Sequence, residues 1–143
     1  MGKKKHKKAI TPQPVIGWGK LKLPAVSDRL PDTARYPAFS LRHTQDKYCI
    51  SKCDKEDKAA FADTIRILSA ITWNEMASRG RHKNGYESIP QHRIRALIPK
   101  MVTKDTTLLA FRWSGMKPMV GFRDGHTFYV LWFDRDLDLY PHS

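Results

Sequence analysis

Residues 107–133 read TLLAFRWSGMKPMVGFRDGHTFYVLWF. Three apolar runs, Thr107–Trp113, Met119–Arg123 and His126–Phe133, are broken by turn chemistry, which predicts a compact antiparallel meander. Ser114-Gly115-Met116-Lys117-Pro118 closes the first hairpin, and Asp124-Gly125 is a two-residue type I′ signal for the second. Asp134-Arg135-Asp136 ends the third strand, and Leu137–Tyr140 reads as a short returning piece. In the third strand Phe128, Val130 and Trp132 fall on one face and Tyr129, Leu131 and Phe133 on the other. With so little polar alternation the strand is expected to be central and covered on both sides. A platform on which RNA bases stack is the alternative use of those rings.

Working outward, Ala38-Phe39-Ser40-Leu41-Arg42 alternates as a strand does, and Tyr48-Cys49-Ile50 extends or pairs with it. From Asp54 the period changes to that of a helix. Asp54 is an N-cap, Glu56 and Asp57 suit the first turn, and Phe61, Ile65, Leu68, Thr72 and Met76 recur at helical spacing. Ile67, Ile71 and Trp73 widen the stripe, and Gly80 supplies the stop, so one long helix is expected against the meander. Residues 1–35 carry Lys3, Lys4, Lys5, Lys7 and Lys8 and then Pro12, Pro14, Pro24 and Pro31 without a sustained period. The expected organisation is α+β: a long helix packed on a small antiparallel β-meander over residues 36–143, preceded by a disordered basic arm.

Lysine and arginine total 26 against 14 acidic residues, a formal charge of +12. Such an excess points to a polyanionic partner held through phosphate contacts. Arg79, Arg81, His82, Lys83, His92, Arg93, Arg95 and Lys100 lie within one segment in which Glu87 is the only acid. That segment is expected to bind nucleic acid, with a solvated charged loop as the alternative. The N-terminal lysine block grips phosphates, targets the chain or merely solubilises it, three uses that composition does not separate.

Nothing in the sequence matches a phosphate-binding glycine loop with its lysine, a dinucleotide fingerprint, a paired-carboxylate metal motif or a serine nucleophile elbow. Nucleotide hydrolysis and hydride transfer are thereby disfavoured, and no cofactor or metal is expected. Cys49 and Cys53 lack the second paired half of a zinc site and are read as reduced thiols. No apolar run reaches membrane-spanning length, so a cytoplasmic protein without a membrane partner is expected.

Internal transesterification of RNA needs a base, an acid and a cationic clamp. Arg112, between Phe111 and Trp113, must lie at a sheet margin or find a partner such as Asp134 or Asp136. His126 has the titration range for acid or base work and follows the second turn directly, though it also suits a polar hairpin end. Arg123 beside Asp124 reads first as an exposed turn residue, and Tyr140 as a ring packed on the core.

The order of arm, strand, helix, basic connection and antiparallel strands resembles the RelE-type messenger-RNA interferase and ParE toxin superfamily, over about residues 36–142. The likeness lies in element order and residue chemistry, with the long first helix replacing the shorter helical hairpin usual there. It implies a metal-independent endoribonuclease, often acting on ribosome-bound messenger and silenced by an antitoxin protein, in a toxin-antitoxin or phage-defence system. It also implies Arg112 and Arg123 as phosphate-stabilising cations, Tyr140 and His142 as helpers of the leaving oxygen, and Glu87 or His82 as the base. A non-catalytic RNA-binding or ribosome-associated protein is the second reading, and a DNA-binding accessory protein of a mobile element the third.

Overall fold

The computed structural model describes residues 30–80 and 83–142. Expectations for the lysine block at residues 3–8 and for Arg81 and His82 fall outside the described residues. The elements are β1 (Ala38–Ser40), α1 (Lys55–Leu68), α2 (Trp73–Ala77), β2 (Glu87–Ile89), β3 (Leu108–Ser114), β4 (Lys117–Asp124) and β5 (Thr127–Phe133). The five strands form one sheet in the order β1-β5-β4-β3-β2. The meander is present as β3, β4 and β5, with β2 antiparallel on one edge and β1 parallel to β5 on the other.

The α+β expectation stands in this coarse form, and its details need correction. The sheet is mixed, because β1 reaches β5 after nearly the whole domain has intervened and pairs Phe39 with Phe128 in parallel. The expected long helix is two helices. Asp54 does cap the first, its Oδ1 accepting from the Asp57 amide at 2.8 Å. The helix stops at Ser69, and Thr72 starts a second one through a capping box: its hydroxyl accepts from the Glu75 amide while Glu75 Oε1 accepts from the Thr72 amide at 2.9 Å. Tyr48-Cys49-Ile50 forms 3-10 turns and Leu137–Tyr140 an irregular return, so neither is a strand. Residues Asp32–Ala34 form a further 3-10 turn, and the Arg35 carbonyl accepts from the Trp73 amide, so packing begins ahead of Tyr36.

The first hairpin turn falls where expected, at Gly115-Met116, and the second sits one residue later than the type I′ reading places it. Asp124 pairs with Thr127, leaving Gly125 and His126 in the loop, and of these Gly125 alone has positive φ, at 63°. One left-handed residue in the first loop position suits a II′ turn, whereas I′ needs two. The face assignment of β5 also changes. Val120 pairs with Trp132 and Gly121 with Val130, so Leu131 is an extra residue that reverses the alternation beyond it. Phe128, Val130 and Phe133 therefore face the helices with Leu68, Trp73 and Met76, while Leu131 and Trp132 face the other layer with Leu139 and Tyr140. The strand is covered on both sides, as its sequence implies. Rings such as Phe128, Trp132 and Phe133 are wholly buried, which removes them as a stacking platform.

An ion pair ties α1 to the first hairpin. Asp57 is 4% exposed, and its carboxylate accepts from Lys117 Nζ at 2.8 Å and from Ser114 Oγ at 2.8 Å, while its carbonyl accepts from Trp113 Nε1. Burial pushes the Asp57 carboxyl up, but the bonds from Lys117 and Ser114 outweigh it and hold the group below the usual carboxylate value. A depressed carboxylate contributes stability above its unfolded pKa and loses it as pH falls through the folded one. Lys117→Met leaves the charge buried without its cation and is expected to cost about 3 kcal/mol near neutrality. Urea titrations at several pH values check this: the gap between wild type and variant narrows as pH falls through the acid range, because the lone buried carboxylate takes up a proton at higher pH than the paired one.

Candidate active-site cleft

A cleft of about 240 Å³ opens on the sheet face away from the helices, above the end of β3 and β4 that carries the first hairpin. Glu87, Arg93, Arg112, Tyr140 and His142 line it, with Met116 and Leu137 at its lip. Four of the residues expected to do chemistry are thus in one place, although they come from three separated parts of the chain.

Strand geometry accounts for two of them. Phe111 and Trp113 enter the helix-side core, so the alternation of β3 sends the half-buried Arg112 to the opposite face. Glu87 pairs directly with Ala110, two residues before Arg112, which makes Glu87 and Arg112 diagonal neighbours on one face. That pairing exists because β2 adds to the sheet edge. Pro118 stands opposite Arg112 on β4 and gives the cleft an apolar floor.

The other two, Tyr140 and His142, are set by the chain's return after β5. The Asp134 carbonyl accepts from the Leu137 amide at 3.3 Å, and its Oδ1 accepts from the amides of Asp138 at 2.9 Å and Leu139 at 3.1 Å. The turn bends so sharply that Leu137 adopts φ 57°. The tail is then fastened to the 3-10 turn Gln91–Arg93 and its continuation: the Arg95 amide donates to the Leu139 carbonyl at 2.7 Å, and Arg93 Nη2 to the Pro141 carbonyl at 3.2 Å. Tyr140 is 4% exposed, so its ring does pack on the core, and it lies 4.1 Å from the His142 ring, centroid to centroid. His142 Nε2 is 2.9 Å from Asp134 Oδ2, and Asp134 is fully buried. Asp136, the other acid weighed as a partner for Arg112, lies 3.8 Å from Arg135.

Two expected site residues lie elsewhere. Arg123 is five residues along β4 from Pro118, about 17 Å at strand rise, and its guanidinium sits 5.1 Å from the centre of the Trp73 ring. His126 belongs to the same distant turn, where its carbonyl accepts from Trp73 Nε1 at 2.9 Å and from the Ala38 amide at 3.1 Å. In the basic segment, Arg93 reaches the cleft while His92 and Arg95 are exposed beside it. Arg79 follows α2 half-buried, and Lys83 is exposed on the way to β2.

Asp134 was legible as a turn residue and as a candidate partner for Arg112, but not as the acid beside His142. Its signal is a carboxylate placed directly after Phe133, at the end of a strand buried on both faces, where an acid must find donors. Among the described residues no group of three or more His, Cys, Asp or Glu could hold a metal ion. Hydrogen bonds from Ser51 hold the Cys49 thiol below its ordinary value, and burial pushes that of Cys53 up. His43 packs its ring on Tyr129. Among the described residues no helix is long and apolar enough to cross a membrane. No protein-family model, curated protein or solved structure matches the chain.

Proposed function

We propose that the chain is a metal-independent endoribonuclease that cleaves RNA through the ribose 2′-hydroxyl, a cytoplasmic toxin of RelE-like layout from a toxin-antitoxin or phage-defence system. The observation that carries this reading is the convergence of Glu87, Arg93, Arg112, Tyr140 and His142 on one cleft. A carboxylate, two guanidiniums and an imidazole are the groups that this transesterification requires.

Glu87 takes the proton of the 2′-hydroxyl as its oxygen forms a bond to phosphorus. Arg112 and Arg93 meet the charge that gathers on the non-bridging oxygens. The bond from phosphorus to the 5′-oxygen breaks, and protonated His142 supplies that oxygen with its proton. The products are a 2′,3′-cyclic phosphate and a free 5′-hydroxyl. Tyr140 supports the His142 ring and borders the leaving group.

A non-catalytic RNA-binding or ribosome-associated protein would use the same excess of 26 basic over 14 acidic residues. A carboxylate in that cleft favours cleavage, because Glu87 repels phosphate and would weaken a site used for binding alone. Inducing the protein in a bacterium and mapping RNA 5′ ends separates the two. New 5′-hydroxyl ends with the wild type, reduced about 100-fold by Glu87→Gln, support cleavage. Growth arrest without new ends in the wild type contradicts it. A pure binder would gain affinity when Glu87 loses its charge, and the enzyme would lose turnover.

A further inference from the structure

We infer that Asp134 is a positioning residue for His142: it holds the neutral imidazole in the Nε2-protonated tautomer, so that Nδ1 is the nitrogen that exchanges a proton in the cleft. This rests on the ribonuclease reading only for what Nδ1 does there, since the tautomer is inferred from the contact of Nε2 with a buried carboxylate.

Asp134 is fully buried, and its carboxylate has two distinct tasks. Oδ1 accepts two backbone amides, from Asp138 and Leu139, which fixes the carboxylate plane and shapes the return of the chain. Those two bonds help hold Leu137 at φ 57°, a left-handed conformation that a non-glycine residue rarely adopts. Oδ2 is left to face His142 Nε2 at 2.9 Å. An ionised carboxylate has no proton to donate, so Nε2 must donate. In the neutral ring the other nitrogen is then an acceptor, and in the protonated ring it carries the labile proton.

The ring is confined on further sides. Tyr140 lies against its face at 4.1 Å, and the Pro141 carbonyl before it is held by Arg93 Nη2. The Asp134 loop, the Tyr140 ring and the Arg93 turn therefore converge on a terminal histidine that no element of regular structure contains. A buried acid that orients an imidazole, without changing its own protonation, is a general means of fixing which nitrogen works.

Two measurements test this. In long-range ¹H–¹⁵N spectra of histidine-labelled protein, with His142 assigned from the His142→Gln variant, the neutral ring is expected as the Nε2-protonated tautomer. A Nδ1-protonated ring, or the mixture of a free imidazole, overturns the inference whether or not RNA is cleaved. Asp134→Asn is then compared with wild type in RNA cleavage, where kcat is expected to fall about 100-fold with KM almost unchanged. A folded Asp134→Asn protein with wild-type kcat and tautomer also overturns it. If Asp134→Asn does not fold, the wild-type tautomer decides alone. Failure of the wild type to cleave any RNA would remove the ribonuclease reading and leave the tautomer result standing by itself.

Discussion

His142→Ala is expected to lower the rate of RNA cleavage by about 10³-fold while RNA affinity stays within a factor of two or three of wild type. The reasoning is that loss of a positioned acid removes stabilisation made only as the bond to the 5′-oxygen breaks, whereas phosphate attraction comes from many cations and survives the loss of one. The fold should tolerate the change, since His142 is exposed at the end of the described chain. Its removal does strand the buried Asp134 carboxylate on one oxygen, so circular dichroism and thermal melts accompany the assay. Arg112→Ala makes a useful companion. It takes away a guanidinium that meets transition-state charge, worth about 10² to 10³ in kcat, and leaves the Asp134 and His142 pair in place. Equal cleavage by wild type and both variants would move the chemistry to another part of the molecule.

Gly121→Ala is expected to destabilise the domain by more than about 4 kcal/mol, enough to prevent folding of a protein of ordinary stability. Gly121 is buried in β4 opposite the β5 bulge at Leu131. A Cβ built on it falls far inside van der Waals contact with the Tyr129 carbonyl oxygen and 3.0 Å from Val130 Cα. Both obstacles are backbone atoms of the central strand pair, so no rotamer change relieves them. The adjustment would have to open the β4 and β5 ladder or remove the bulge. Removing the bulge returns Trp132 to the face predicted by strict alternation and ejects a wholly buried ring from its core. Denaturant unfolding or soluble yield reads the effect, and a cost under 1 kcal/mol would mean that the bulge is not fixed as described.

The parts of this fold that were legible in the sequence are those set by local pattern. The three meander strands were readable because apolar runs and turn residues alternate over short distances, and Asp54 was readable as a cap because an N-cap needs only its own next turn. Thr72-Trp73-Asn74-Glu75 also carried a readable capping box, hidden by an apolar stripe that continues across it. Other features had no local signal. β2 is three residues, Glu87-Ser88-Ile89, too few to show a period. The parallel pairing of β1 with β5 depends on contacts across most of the domain. The Leu131 bulge lies beside Gly121, whose need to be glycine is set by the β5 backbone opposite and not by its sequence neighbours.

The candidate site divides the same way. Arg112 was identifiable from its place among apolar neighbours, and Glu87, Tyr140 and His142 as roles that the resemblance implies. Their convergence required β2 on the sheet edge and a C-terminal return held by Asp134, neither of which a spacing rule reveals. Arg123 and His126 had equally suitable chemistry and sit at the far turn beside Trp73. Sequence pattern ranks side chains by what they can do, and the register of the strands decides which of them meet.

The most direct test of the central claim uses purified protein, chelator and two RNA oligonucleotides that differ only by a 2′-deoxy substitution at the mapped cut. The account predicts that the all-ribose strand is cut without metal to a 2′,3′-cyclic phosphate and a 5′-hydroxyl, and that the substituted strand is left whole at that position. Cleavage of both strands alike, or of neither at any protein concentration, would contradict it.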